Sequence, residues 1–252
     1  MPRPMLIALC VAVFAIPQLG HAQSAPPNCP TDQILSDFSA GDAEQGFAGA
    51  VKQRGTVSKS QDPHDAANSV AEFSASGKSG GRVGKAHLIY RFEPASLGSR
   101  IVMQGRFLFP KDSFIDSVIL MDLECASCGL DTNPGVRLYL REGRLRVDRS
   151  KIGIKQSFLP VTPTAVTFEE WHRILWVVVL GDDTAGSSQV YLDDALVINA
   201  KGTTVLLQQV VDTIAPGLRV LSQVDRFQIG LTANSNLRGS SLMLDDVAFC
   251  FE

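Results

Sequence analysis

Beyond its first residues the sequence lacks any apolar run long enough to cross a bilayer. No later stretch approaches the roughly 18 apolar residues that a membrane-spanning helix needs, so no transmembrane anchor is expected. It also lacks basic charge: 23 Lys and Arg stand against 26 Asp and Glu, a formal balance of −3 in 252 residues. That balance argues against nucleic acid as a partner, which selects a net basic surface. No internal repeat is present, which excludes solenoid and propeller architectures. No helical periodicity persists beyond two turns, so short strands must build the fold, and about a dozen can be read.

The first 22 residues read as an export signal. Arg3 supplies the basic start, Leu6–Ile16 an apolar segment too short to span a membrane, and Gly20-His21-Ala22 small residues around a cleavage point. Cys10 lies inside that apolar segment after the bulky Leu9, an unfavourable place for a lipidated cysteine. The protein is therefore expected to be secreted or periplasmic. Residues 23–33 form a polar, Pro-rich lead-in, and 34–252 are read as a single domain.

Four cysteines follow the signal: Cys29, Cys125, Cys128 and Cys250. An even number in an exported chain suggests bridges, with three possible pairings. Cys29–Cys250 with Cys125–Cys128 is favoured, because the first joins the two ends of the domain and termini often lie close. The other reading of Cys-x-x-Cys is a redox or zinc site. That reading needs a strand-to-helix context or a second Cys/His pair, and neither accompanies CASC.

The densest signal lies between Thr167 and Ala200. Trp171–Leu180 holds ILWVVVL, a run with no polar residue to turn outward, and is expected to be a strand covered on both faces. Gln189–Leu192 and Ala195–Asn199 flank Asp193-Asp194, which reads as a tight hairpin. Val136–Asp148 reads as a second hairpin about Glu142-Gly143. Val136, Leu138 and Leu140 face one side of it, and Arg137, Tyr139 and Arg141 the other, with Arg144 and Arg146 continuing the basic face. His87–Phe92 alternates as well, setting His87, Ile89 and Arg91 against Leu88, Tyr90 and Phe92. Further strands are expected at Ile34–Phe38, Thr56–Val57, Val70–Phe73, Ile101–Phe109, Ser117–Leu123, Val224–Leu231 and Leu242–Phe251. Residues 202–212 fit a strand or a short amphipathic helix equally. The fold class is all-β, a two-sheet antiparallel sandwich or jelly roll.

The strand order after residue 130, with Trp171-His172 opening a long strand, VYLDDALV, RFQIGL and a final LDDVAFCF, resembles the C-terminal half of concanavalin A-like jelly rolls. It is similar, more narrowly, to laminin-G-like and polysaccharide-lyase-like modules of secreted bacterial proteins. The resemblance implies a secreted carbohydrate-binding or surface-interaction module without catalysis. The alternative it implies is a polysaccharide lyase acting by β-elimination on an acidic, uronate-containing glycan. In either case the partner is a polysaccharide or glycoconjugate.

A lyase must neutralise a uronate carboxyl and move the C5 proton. Tyr139 and His87 are the candidates for proton transfer, and Arg137, Arg141, Arg146 and Arg91 for binding the acid; the competing reading of these arginines is a solvated hairpin face. The Gln-(Ile/Val)-His and Tyr-x-Lys-x-Gly-x-Tyr patterns of alginate-lyase-like enzymes are absent. Asp122-x-Glu124 is the nearest match to the carboxylates of glycosidases on this fold, but a third acid is missing and a polar strand end is the simpler reading. Trp171 and Trp176 are expected to pack in the core. Asp245 and Asp246 with Asp37 could hold a structural calcium ion if the first and last strands lie side by side, whereas Asp182-Asp183 and Asp193-Asp194 are explained as turns.

Overall fold

The computed structural model describes residues 27–30, 33–130, 132–162 and 164–251. The expected export signal, Cys10 included, lies outside the described residues. No described helix is long and apolar enough to cross a membrane.

Fourteen strands among the described residues form two antiparallel sheets. The larger sheet runs β12 (Ala195–Lys201), β11 (Ser187–Leu192), β10 (Trp171–Val179), β6 (Arg100–Leu108), β14 (Ser240–Phe251), β4 (Ser69–Ala75) and β3 (Gly55–Gln61), with β1 (Ile34–Ser36) also pairing with β14. The smaller runs β2 (Gly49–Gln53), β5 (Gly84–Ser96), β13 (Gln223–Asn234), β7 (Ser117–Glu124), β8 (Gly135–Arg141) and β9 (Arg144–Asp148). Alternate residues of both sheets meet in one apolar core. Leu88, Leu138, Phe227 and Ile229 come from the smaller sheet, and Phe73, Phe107, Trp176 and Leu244 from the larger. Trp176 is wholly buried and its indole nitrogen donates to Ser188 Oγ at 2.9 Å, which satisfies the polar end of the ring.

The apolar run of β10 is covered on both faces, as its sequence demands. Ile174, Trp176 and Val178 enter the core. Leu175 and Val177 join Val102, Tyr191 and Cys250 in a second cluster on the outer face, against which Cys29 and Leu196 pack. Trp171, on that outer face too, leaves the core expected for it. Its nitrogen donates to Asp62 Oδ1 at 3.1 Å and the Arg106 guanidinium lies 4.9 Å from its ring centre. Both hairpins form with left-handed turn residues, φ of 50° and 66° at Asp193 and Asp194 and of 53° and 71° at Glu142 and Gly143. Such turns match the twist of the flanking strands. Aspartate tolerates the first turn because its carboxylate is used: Oδ1 accepts from the Arg173 amide at 2.9 Å, and Oδ2 lies 2.7 Å from His172 Nδ1.

Residues 202–212 resolve toward helix. α1 (Gln208–Ile214) is a short helix that buries Val211. Strand β2 was not legible: GAVKQ is an edge strand with no fully buried residue, so it carries no alternation to read.

Both favoured disulfides form, Cys29–Cys250 and Cys125–Cys128. The first closes 221 residues of separation, for which the chain-entropy account gives about 5 kcal/mol, and the second closes a separation of only three and contributes far less. Replacing Cys29 and Cys250 together by Ser is expected to lower unfolding stability by about 2–5 kcal/mol. The replacement of Cys125 and Cys128 should cost clearly less, and denaturant unfolding of the two variants tests the order.

Candidate active site

The outward face of the smaller sheet carries a polar cleft. Strand register builds it in rows. One row runs Ile89, Gln228, Asp122, Arg137 and Asp148 across β5, β13, β7, β8 and β9. The next sets Arg91, Arg226 and Glu124 side by side. In the other direction His87 pairs with Gly230, and Tyr139 lies between Ile119 and Arg146. A register shift between Ile119 and Met121 keeps Ile119 on the same face as Asp122 and Glu124, the usual effect of a bulge on side-chain phase. Two hollows of about 260 and 240 Å³ result, and Ile119 and Arg137 line both. His87, Asp122, Glu124, Arg226 and Gln228 belong to the first, and Tyr139, Arg141 and Arg146 to the second.

Glu124 organises the first hollow. Its carboxylate is 3% exposed and accepts hydrogen bonds from Lys151, Gln228 and Arg226, the last at 2.6 Å. Lys151 comes from a single 3-10 turn, Ser150–Ile152, directly after β9. Arg137 is committed elsewhere: its Nε and Nη2 reach Asp148 Oδ1 at 3.1 and 2.7 Å. Despite partial burial, that pair and Ser150 hold Asp148 below the usual carboxylate range.

His87 and Asp122 have no such partners. Burial pulls the His87 imidazole down to about 4, with Lys85 adding to the effect, so the ring is neutral at physiological pH. Burial, with the Glu124 charge behind it, pushes Asp122 up to about 6. Among the described residues, the buried side-chain polar atoms lacking a hydrogen-bond partner are both ring nitrogens of His87, Asp122 Oδ1, and the Nε atoms of Arg146 and Arg226. All of them belong to residues lining this cleft. Buried polar atoms are otherwise almost always satisfied. Their concentration here makes this face the candidate site.

Of the residues singled out in the sequence, His87, Arg137, Tyr139, Arg141 and Arg146 are brought together. Tyr139 is held by a short hydrogen bond between its hydroxyl and Ser117 Oγ, and Arg146 lies 6.0 Å from its ring centre. Arg91 shares the His87 face but is exposed and outside both hollows. The reading of Asp122-x-Glu124 as a polar strand end is corrected: both carboxyls are buried in the floor of the cleft. Arg226, Gln228 and Lys151 were missed. A signal for the first two existed in VDRFQIGL, where they alternate with the apolar Phe227 and Ile229.

The three aspartates expected to bind calcium do not converge on a cation site. Asp245 Oδ2 receives Asn68 at 2.9 Å and lies 3.5 Å from Arg106, while Asp246 pairs with the same guanidinium at 3.2 Å. Asp37 caps its own turn through Ser39. Among the described residues no group of three His, Cys, Asp or Glu is arranged to hold a metal. Asp182 bonds the Thr184 and Ala185 amides and is a turn residue, as read.

No protein-family model matches the chain, and no curated protein does. Solved structures match it by fold. An endo-β-1,4-glucuronan lyase from the fungus Trichoderma reesei gives a TM-score of 0.58 at 17% identity, covering 81% of this chain and 90% of that one. The cellulose-induced protein Cip1 gives 0.54 at 10% identity, covering 79% and 87%. Alginate lyase Aly36B gives 0.52 at 8% identity, covering 82% and 88%. The fold is the two-sheet, concanavalin A-like jelly-roll sandwich expected from the sequence.

The depressed His87 value makes a stability prediction. A histidine whose folded pKa lies below the unfolded 6.5 stabilises the fold above pH 6.5, and the contribution is lost as pH falls through about 4. The His87→Gln variant is expected to lack about 3 kcal/mol of the acid-side loss seen in the parent between pH 7 and 4. Parallel denaturant titrations at several pH values give that difference directly.

Proposed function

We propose that the protein is a polysaccharide lyase that cleaves a uronate-containing glycan by β-elimination in the cleft of the smaller sheet. One observation carries the reading: a neutral, buried imidazole with both nitrogens unpartnered lies in a hollow with Arg137 and Arg226, next to a second hollow lined by Tyr139 and further guanidinium groups. In the reaction a base removes the C5 proton, the electrons form the C4–C5 double bond, and the C4–oxygen bond breaks as that oxygen is protonated. His87 is the base, since only a neutral imidazole accepts a proton. Solvent returns a proton to the departing oxygen, and Tyr139, in the adjoining hollow, contacts a neighbouring sugar. Arg137, whose Nε and Nη2 hold Asp148, turns its remaining Nη1 to the uronate carboxylate, and with the Gln228 amide beside Asp122 stabilises the charge that develops on it.

The Gln-(Ile/Val)-His pattern, absent from the sequence, breaks off at Gly230. Gln228-Ile229-Gly230 retains the first two positions of Gln-(Ile/Val)-His. The third has φ of 123°, and a Cβ there would meet the Phe73 ring at 2.9 Å and the Ala86 carbonyl at 3.0 Å. No side chain fits. His87 is the cross-strand partner of Gly230, so the imidazole comes from the neighbouring strand instead.

The module without catalysis, the first expectation from the sequence, is the weaker reading. Binding alone gives no reason to bury a histidine at the cost of its charged form and of two hydrogen bonds. The fold-level likeness to a glucuronan lyase and an alginate lyase supports the lyase by analogy. Glycoside hydrolysis is disfavoured because Glu124 is saturated by three donors. Two disulfides support a secreted or periplasmic location.

Incubation with glucuronan and with alginate should raise the ultraviolet absorbance of unsaturated uronide. His87→Ala should reduce the rate by about 10²–10⁴, and Tyr139→Phe and Arg137→Ala should each weaken substrate binding. A flat trace from the parent protein across both glycans would return the non-catalytic module.

A further inference from the structure

The lyase reading leaves Asp122 unused, although it lies at the centre of the cleft floor. It is 5% exposed, and its wholly buried Oδ1 has no partner. Register places it between Gln228 on β13 and Arg137 on β8, the two groups assigned to the substrate carboxylate. Glu124 stands two residues along the same strand and face, about 7 Å away along the backbone.

The charges around Asp122 are already committed. Lys151 and Arg226 bind Glu124. Arg137 binds Asp148 through two nitrogens. On β5, His87 is neutral and Lys85 lies beyond the intervening β13. The Thr232 hydroxyl donates to the Ile119 carbonyl. Lys151, Arg137 and the Thr232 hydroxyl favour the ionised form, but both cations are shared with other carboxylates, and burial together with the Glu124 charge outweighs them.

We propose that Asp122 binds substrate as the neutral acid, donating a hydrogen bond to the uronate carboxylate that Arg137 and Gln228 face. The ligand named here rests on the lyase reading of the cleft. A carboxylic acid donating to a carboxylate makes a short, charge-assisted bond. Once Asp122 ionises, two negative carboxyls confront each other in the same place and binding is lost. The cleft therefore selects uronates on the acid side of the Asp122 titration. A neutral glucan, which offers hydroxyls only, escapes that control.

The test measures Kd by calorimetry from pH 5.5 to 8.5 in the His87→Ala background, so that nothing is consumed. The probes are the glucuronan, mannuronan and guluronan tetrasaccharides, with cellotetraose as the neutral comparator. Affinity for the bound uronate should fall about tenfold per pH unit above about 6. Asp122→Asn keeps a hydrogen-bond donor without the ionisation and should flatten the profile. Asp122→Ala should bind weakly at every pH. Circular dichroism of the Asn variant should show a native fold. Its melting temperature should exceed that of the background by a margin that opens between about pH 4 and 6 and is constant above, because a raised folded pKa means stability lost on ionisation.

A slope that persists in Asp122→Asn overturns the proposal. So does an equal slope for cellotetraose, or failure of all three uronates to bind. A slope abolished by Asn in a protein that forms no unsaturated product upholds the role of Asp122 while removing the lyase. Product formation by the parent with flat affinity does the reverse.

Discussion

The cleft depends on one buried carboxylate. Glu124 is withdrawn from water, which is tolerable only because two cations and an amide converge on it. Those three donors come from a turn after β9 and from β13, so the carboxylate ties the middle of the sheet to its far edge. The same bonds fix the orientation of Gln228 and Arg226 toward the hollow. They also consume the local positive charge. Asp122 is left chiefly with burial and a like charge, and His87 with burial and the Lys85 charge.

The smaller sheet performs two tasks with one set of strands. Inward residues such as Leu123, Leu138, Phe227 and Ile229 fill the core, and the residues between them form the cleft. Rigid packing on one face holds the polar rows of the other in register. The larger sheet supports this from behind. Its own outer face is closed by a second apolar cluster and by the Cys29–Cys250 bridge. The Glu142-Gly143 turn fixes the register of β8 and β9, and so sets Tyr139 opposite Arg146 and Arg137 opposite Asp148.

Much of this was legible in the amino-acid order. The alternation of VRLYL and RLRVD gave the basic face with Tyr139 in it, and HLIYRF gave His87. The turn pairs Asp193-Asp194 and Glu142-Gly143 and the cysteine pairing were readable for local or topological reasons. Arg226 and Lys151 were not. A guanidinium or ammonium group shows its importance only through the carboxylate it meets, and Glu124 lies 102 residues from the first and 27 from the second. The reading of Asp122 failed for a related reason. SVILMDLE looks like a buried strand running out into a polar end, and only the bulge at Ile119 and the neighbours on β13 and β8 turn that end into a cleft floor.

The sequence by itself determined the fold class, because period-two alternation and left-handed turn residues act over a few neighbouring positions and need no partner to be recognised. It also determined that a face rich in arginine and tyrosine would exist. The tertiary structure alone decided which polar groups lose water and which charges find each other. Burial and pairing depend on strands far apart in the chain, and they set the state of His87, Asp122 and Glu124. The site's residues were written locally, and their chemistry was assigned by packing.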